Sequence, residues 1–205
     1  MTLQTIGYII GEFVPKDKFP EEFDTLLHEA QMTYFHQNMD NDGIVFPFIK
    51  HMGADTSTMP LVVNSIGIAS LPVDFAAIRS MTVMHGGVQR LVEVVEAHEW
   101  RYRQHAVIET PDREHPIATF QGKLIRFAPK NIQAVNFTYL SIPPQPVYAT
   151  TINTNRFEYD AANSVELLWL DQDQIEITRM VIANLGVAVT ADQIREKLTQ
   201  NQTNQ

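Results

Sequence analysis

The chain has 205 residues, 44% of them hydrophobic and 19% charged, which is enough apolar material for a globular domain with a real core and excludes disorder as its default state. It contains no cysteine, so disulfides and thiolate metal sites are excluded. A formal net charge of −9 argues against a protein that grips nucleic acid by neutralising phosphates, yet suits a channel wall past which DNA slides, because like charge prevents sticking.

Met1 to Phe13 contains Ile6, Ile9 and Ile10 but no basic flank followed by a cleavable apolar run, and no apolar stretch approaches membrane-spanning length, so synthesis in a cytoplasm is expected. A helix is predicted from about Pro20 to Gln37, where Phe19, Phe23, Leu26, Leu27, Ala30 and Tyr34 recur at spacings of three and four. Pro20 at the first helical position and Glu21 and Glu22 in the first turn mark its start. The polar run Asn38 to Gly43 ends it. Ile44 to Met52 is apolar but short, and periodicity leaves a second helix and a loosely packed segment both open.

From Leu71 to Val147 short runs alternate with period two between turn residues, the pattern of antiparallel β structure. Gly86-Gly87 reads as a turn. Gln121-Gly122 joins Ile117–Phe120 to Lys123–Phe127 as a hairpin. Ile132 to Leu140 forms a further strand that stops before Pro143-Pro144, which cannot continue a ladder. A second helical block follows: Asp171 to Leu185 with Gly186 as its C-terminal stop, then a capping box, Thr190 to Gln193, opening a last helix from Ala191 to about Thr199. The expected organisation is a single domain over 1–200, helical at about 20–52 and 171–200 and β-rich at about 71–170, with a polar tail at 201–205. Its fold class is α+β, with helices from both chain ends packed beside a central antiparallel sheet or small sandwich.

Several signals stand in a telling order. Leu71-Pro72-Val73-Asp74-Phe75 precedes a strand at Ser80–Met84; Gln89 to Val95 makes a second strand, followed by Glu99-Trp100. Gly122, Ile125 and Pro129 space a G-x-x-I-x-x-x-P hairpin, Val135 to Tyr139 leads to Pro143, and a strand-like Val165–Trp169 precedes the helix ending at Leu185-Gly186. This series, covering roughly Leu71 to Gly186, resembles the head-to-tail adaptor and tail-tubular ring proteins of tailed bacteriophages, including the ring proteins of the crAss-like group. One departure is Ala118, four residues before Gly122, where the family more often has an aromatic; here the aromatic is Phe120.

The resemblance implies a virion structural protein that forms a ring, a dodecamer matching the portal. The ring would join the portal to other neck or tail components and extend the channel for genomic DNA without sequence-specific binding. It implies contacts through the loops Gly53–Ser70 and Ala106–Pro116, a terminal helix that reaches the portal, and no membrane partner, enzyme activity or cofactor.

The seven His, at 28, 36, 51, 85, 98, 105 and 115, form no HExxH or HxH pair, and no metal site is expected of them. Asp55-Thr56-Ser57 lacks the second carboxylate that aspartic-protease chemistry needs. No G-x-S-x-G elbow, Walker loop or G-x-G-x-x-G stands in the chain. Arg90, Trp100, Arg101, Tyr102 and Arg103 form the basic and aromatic cluster. Glu93, Glu96 and Glu99 nearly neutralise it, and Arg with aromatics suits a subunit interface better than a nucleic-acid surface. Trp169, among Leu167, Leu168 and Leu170, is a core residue by default and a partner contact if the protein assembles. Catalytic residues are expected to be absent. The rival readings are a small hydrolase with an Asp/His site built across the fold, and a cytoplasmic partner-binding module.

Overall fold

Helices gather at the two ends of the chain and strands in its middle, so the protein is α+β, as the sequence patterns predict. The structure is a computed structural model that describes residues 1–13, 23–39, 46–53, 59–106, 110–153 and 156–203. The chain divides into two compact units. A helical unit comprises Met1–Pro47 with Pro143–Gln205, and a β unit comprises Phe48–Ile142. The β-rich insert has a core of its own, which is why it separates from the helices that flank it in sequence.

In the helical unit, α1 (Leu3–Phe13) buries Leu3, Ile6, Gly7, Ile9 and Ile10. Gly7, Gly11 and the β-branched isoleucines give this segment poor helix propensity, and burial of its apolar stripe overrides that. Gly7 lies against the Tyr148 ring, where an added Cβ would sit 3.2 Å from the ring edge. The predicted first helix is α2 (Phe23–Asn38), burying Phe23, Leu27, Ala30 and Phe35; its expected start at Pro20 to Glu22 lies outside the described residues. At the far end, α4 (Asp171–Asn184) stops at Gly186, whose φ is +82°, with the Val187 N–H donating to the Ile182 carbonyl. That is the glycine-terminated stop the sequence announces. The capping box is also present: the Thr190 N–H donates to Gln193 Oε1 at 2.8 Å, and the Gln193 N–H to Thr190 Oγ1 at 3.3 Å, opening α5 (Ala191–Thr203).

Val165–Trp169, expected as a strand, makes only an isolated bridge, Val165 with Val147. Its later carbonyls are taken by a side chain: the buried Gln174 Nε2 donates to Leu167 O at 2.8 Å and Trp169 O at 2.6 Å, so no ladder is needed to satisfy them.

The β unit starts earlier than Leu71. The undecided Ile44–Met52 stretch ends in β1 (Ile49–Met52), which corrects the helical assignment of 20–52 at those residues. Gly53–Ser70, expected as a long loop, carries β2 (Leu61–Val62) and β3 (Ile68–Ser70) around a turn. Asn64 Oδ1 accepts the Ile66 and Ile68 N–H groups there, and Gly67 holds φ +80°. β4 (Phe75–His85) turns at Gly86-Gly87, both at positive φ, into β5 (Val88–Leu91). This two-residue connection matches the right-handed twist of its strands.

β6 (Glu93–Val94) leads through α3 (Ala97–His105) to β7 (Ile117–Gln121), which pairs with β6 in parallel. A helical crossover is what such pairing requires. β7 and β8 (Leu124–Ala128) form the expected hairpin with Gly122 at φ +61°, and β9 (Ala134–Ser141) ends before Pro143. A further hairpin, β10 (Thr150–Asn153) with β11 (Arg156–Tyr159), belongs to the helical unit.

Two sheets among the described residues build the β unit, one ordered β1-β9-β4-β5 with β2 also on β9, the other β3-β8-β7-β6. The chain passes between them four times, from β2 to β3, β3 to β4, β5 to β6 and β8 to β9. β5 and β6 are consecutive around Val92, whose N–H donates to the Met81 carbonyl, and β2 continues into β3. Ala69, Met81, Val83, Ile125, Phe127, Val135 and Phe137 fill the space between the sheets, so the unit is a small sandwich closed along two strands. Ala118, where an aromatic was expected, is fully buried in this core; Phe120 instead stacks on Phe75 at 5.8 Å.

Candidate interaction surface

The six residues singled out for contacts fall into both units. Arg90, Trp100, Arg101, Tyr102 and Arg103 belong to the β unit and Trp169 to the helical unit.

Trp100 is the anchor of α3. It is 8% exposed and packs with Val95, Ile117 and Ala128, sealing the helix onto the strands it connects. Arg103 is spent within the chain: Nη1 and Nη2 donate to the two carboxylate oxygens of Glu93 at 3.0 Å each, and Nε donates to Glu99 Oε1 at 3.2 Å. A bidentate pair of this kind ties the helix back to β6. Arg90 reaches Glu114 at 3.9 Å with Nη2, while its Nε is buried and has no partner among the described residues. Arg101 and Tyr102 remain on the outer face of α3, Tyr102 with 75% of its surface exposed. Aromatic and basic composition pointed at this helix, but its pitch assigns Trp100 to the core and only its neighbours to the surface.

Trp169 is 4% exposed. Its indole N–H donates to Gln31 Oε1 at 3.3 Å, and its ring meets Tyr34, Phe35 and Phe46 edge-on at 5.2–6.4 Å. Gln31 also donates to the Pro144 carbonyl at 2.8 Å, so two buried glutamines, Gln31 and Gln174, take up the indole N–H and the backbone carbonyl of this tryptophan.

The Asp74 of the Leu71–Phe75 step is a latch within the β unit, and this role is not visible in the motif alone. Its carboxylate accepts from Lys50 Nζ and, at 3.0 Å, from the Tyr139 hydroxyl, while its carbonyl accepts the Ile142 N–H at 2.7 Å. Partial burial would raise the Asp74 carboxyl, but the hydrogen bonds from Lys50 and Tyr139 outweigh it and hold the group below its usual range. The Tyr139 hydroxyl is pushed up to about 12 by burial and by the adjoining carboxylate. Phe75, next in the motif, stacks on Phe137 at 5.9 Å. The step therefore joins β4 to β9 through both charge and rings.

Exposed apolar side chains follow the bend from one sheet to the other: Met84 on β4, Val88 and Leu91 on β5, Val94 on β6, with Leu91 70% exposed. Spread over three consecutive strands, these exposed apolar side chains make this bend a candidate contact surface. Among the described residues no group of three His, Asp or Glu could hold a metal ion, and no helix is long and apolar enough to cross a membrane. Asp55 to Ser57 lie outside the described residues. No protein-family model matches the chain, and no curated protein matches it.

Proposed function

We propose that this protein is a structural component of a tailed-bacteriophage neck, assembling in about a dozen copies into a ring that joins the portal to the tail and extends the DNA channel. The observation that carries the reading is the order of elements in a β insert held between helices from the two chain ends. The Leu71–Phe75 step stands at the head of β4, the Gly122 hairpin follows the crossover helix, β9 ends before Pro143, and α4 stops at Gly186. Val165–Trp169 departs from that series, since it is not a strand.

Two further features favour a scaffold. Ion pairs and buried amides are spent on holding elements together, as at Arg103, Asp74 and Gln174. The strip Met84, Val88, Leu91 and Val94 offers apolar area for a protein neighbour. The net charge of −9 suits a wall from which DNA is repelled as it passes. The ring would bind portal protein and the next neck or tail component, and would reside in the virion.

The test is mass spectrometry of purified particles, combined with mixing of the recombinant protein with portal and imaging by electron microscopy. The expected result is about a dozen copies per particle and rings seated on the portal. Absence from particles, with no ring on the portal, overturns the reading.

A further inference from the structure

Charge is divided unequally along the chain. The helical unit has sixteen Asp and Glu against six Lys and Arg, a formal −10, whereas the β unit has eight against nine, a formal +1. The nine cations of the β unit differ in what they face, Arg113 for example donating to the Asn131 carbonyl at 3.3 Å. Lys50, Arg90 and Arg103 face carboxylates. Arg101, Arg126 and Lys130 are exposed and have no carboxylate partner among the described residues.

These three surround Trp100. Arg101 and Arg126 line a hollow of about 100 Å³ together with Thr119 and Gln121. Arg126 and Lys130 line a second, of about 200 Å³, together with Gln104. Neither hollow has an Asp or Glu in its wall. In a chain with a large excess of acid, three cations left without counter-charge around two hollows of side-chain size leave an electrostatic vacancy that a partner's carboxylates would fill.

We propose that this cationic face of the β unit docks the acidic helical unit of a second copy of the chain. The contact is head-to-tail, between unlike surfaces, and such a contact propagates and closes into a ring when its rotation allows. The ring reading above is needed for closure, not for the contact itself. Nucleic acid fits the face less well: the hollows are separate instead of a continuous groove for a backbone, and Trp100 is buried where a single strand would need an open stacking platform. A second copy brings ten excess negative charges in one unit and needs neither.

The experiment is sedimentation velocity on the full chain over a concentration series at low and high salt, comparing the wild type with Arg126→Glu/Lys130→Glu and with the milder Arg126→Ala/Lys130→Ala. The expected result is association of the wild type at low salt, weakened about tenfold or more at high salt because rim charges are screened. The Ala pair should weaken it and the Glu pair abolish it, with circular dichroism and melting unchanged in both. Association that is absent in the wild type, or equal in all three proteins, overturns the proposal. So does retention of a labelled DNA duplex that the substitutions abolish without any self-association, since the face is then a polyanion site. Portal-bound rings formed normally by the Glu pair would sink this contact and leave the neck assignment standing. Charge-dependent association of a protein absent from particles would do the reverse.

Discussion

The two units differ in how far their carboxylates are balanced by cations, sixteen acids against six bases in the helical unit and eight against nine in the β unit. In the β unit carboxylates meet cations: Glu93 and Glu99 clamp Arg103, and Asp74 takes Lys50. In the helical unit Arg179, Arg195 and Lys197 pair with Glu176, Asp192 and Glu12, and with few cations to spare other carboxylates accept from neutral groups. Glu166 takes the Leu3 N–H and the Tyr159 hydroxyl at 2.6 Å each, Asp173 the Tyr34 hydroxyl at 2.7 Å, and Asp24 the Tyr148 N–H at 2.8 Å. An acid-rich fold thereby retains short, charge-assisted bonds without needing balancing bases. The same phenols are pushed to higher pKa: Tyr34 and Tyr159 by burial first and by Asp173 and Glu166 next.

Each unit contains one of the two tryptophans, so single-Trp backgrounds, Trp100→Phe or Trp169→Phe, let fluorescence follow one unit at a time. The largest effect is expected from Phe137→Ala. The side chain is fully buried between the sheets, and its loss costs about 3–5 kcal/mol in chemical denaturation of the β unit followed at Trp100. Next is Gly67→Ala, at about 3 kcal/mol. The residue holds φ +80°, and a Cβ there would sit 2.8 Å from the Phe127 carbonyl oxygen. A loss under about 1 kcal/mol would mean that the β2–β3 turn relaxes and does not pin the sandwich.

Glu166→Gln tests the helical unit's use of acids: about 2 kcal/mol, read at Trp169, with amide protection lost first in α1. A neutral result would mean that the charge on Glu166 is dispensable and the contrast with the β unit is only one of composition.

The smallest effect is one of pH. Because the folded Asp74 carboxyl is lowered, its contribution is present above about pH 4, the ordinary range of the unfolded group, and is lost as pH falls through the folded value. Asp74→Asn should lower the β unit's urea midpoint at neutral pH and flatten its fall toward acid; an unchanged acid limb would remove Asp74 from the account.

What the sequence discloses is mostly local. The Thr190–Gln193 box, the Gly186 stop and the Gly122 and Gly86-Gly87 turns are each written within a few residues, and each is present. The fold class follows from where periods of 3.6 and 2 prevail. Less legible is anything that depends on distant partners. α1 has poor propensity and exists because its isoleucines are buried. β2 and β3 are too short for a pattern, and β6 and β7 pair in parallel only because α3 carries the chain across. Of the residues chosen for contacts, Trp100 and Trp169 lie in cores, since aromatic enrichment marks interiors and interfaces alike. Arg101 and Tyr102 are on the surface. Arg126 and Lys130 were not singled out, and the signal that finds them is the absence of carboxylates around them in space, which no spacing along the chain displays.

One feature of the β unit bears on how the polypeptide reaches its final form. The Phe48 carbonyl accepts both the N–H and the hydroxyl of Ser141 at 2.9 Å, so the two ends of the insert are stitched together. A ribosome delivers Phe48–Ile142 as one continuous piece, whereas the helical unit needs α4, which is made only after the whole insert, to meet α2. Bringing together the ends of a loop of roughly 100 residues costs about 4 kcal/mol in chain entropy. Once the sandwich has formed, that entropy has already been surrendered, and the late-emerging C-terminal helices close on α2 as though the intervening segment were a short turn.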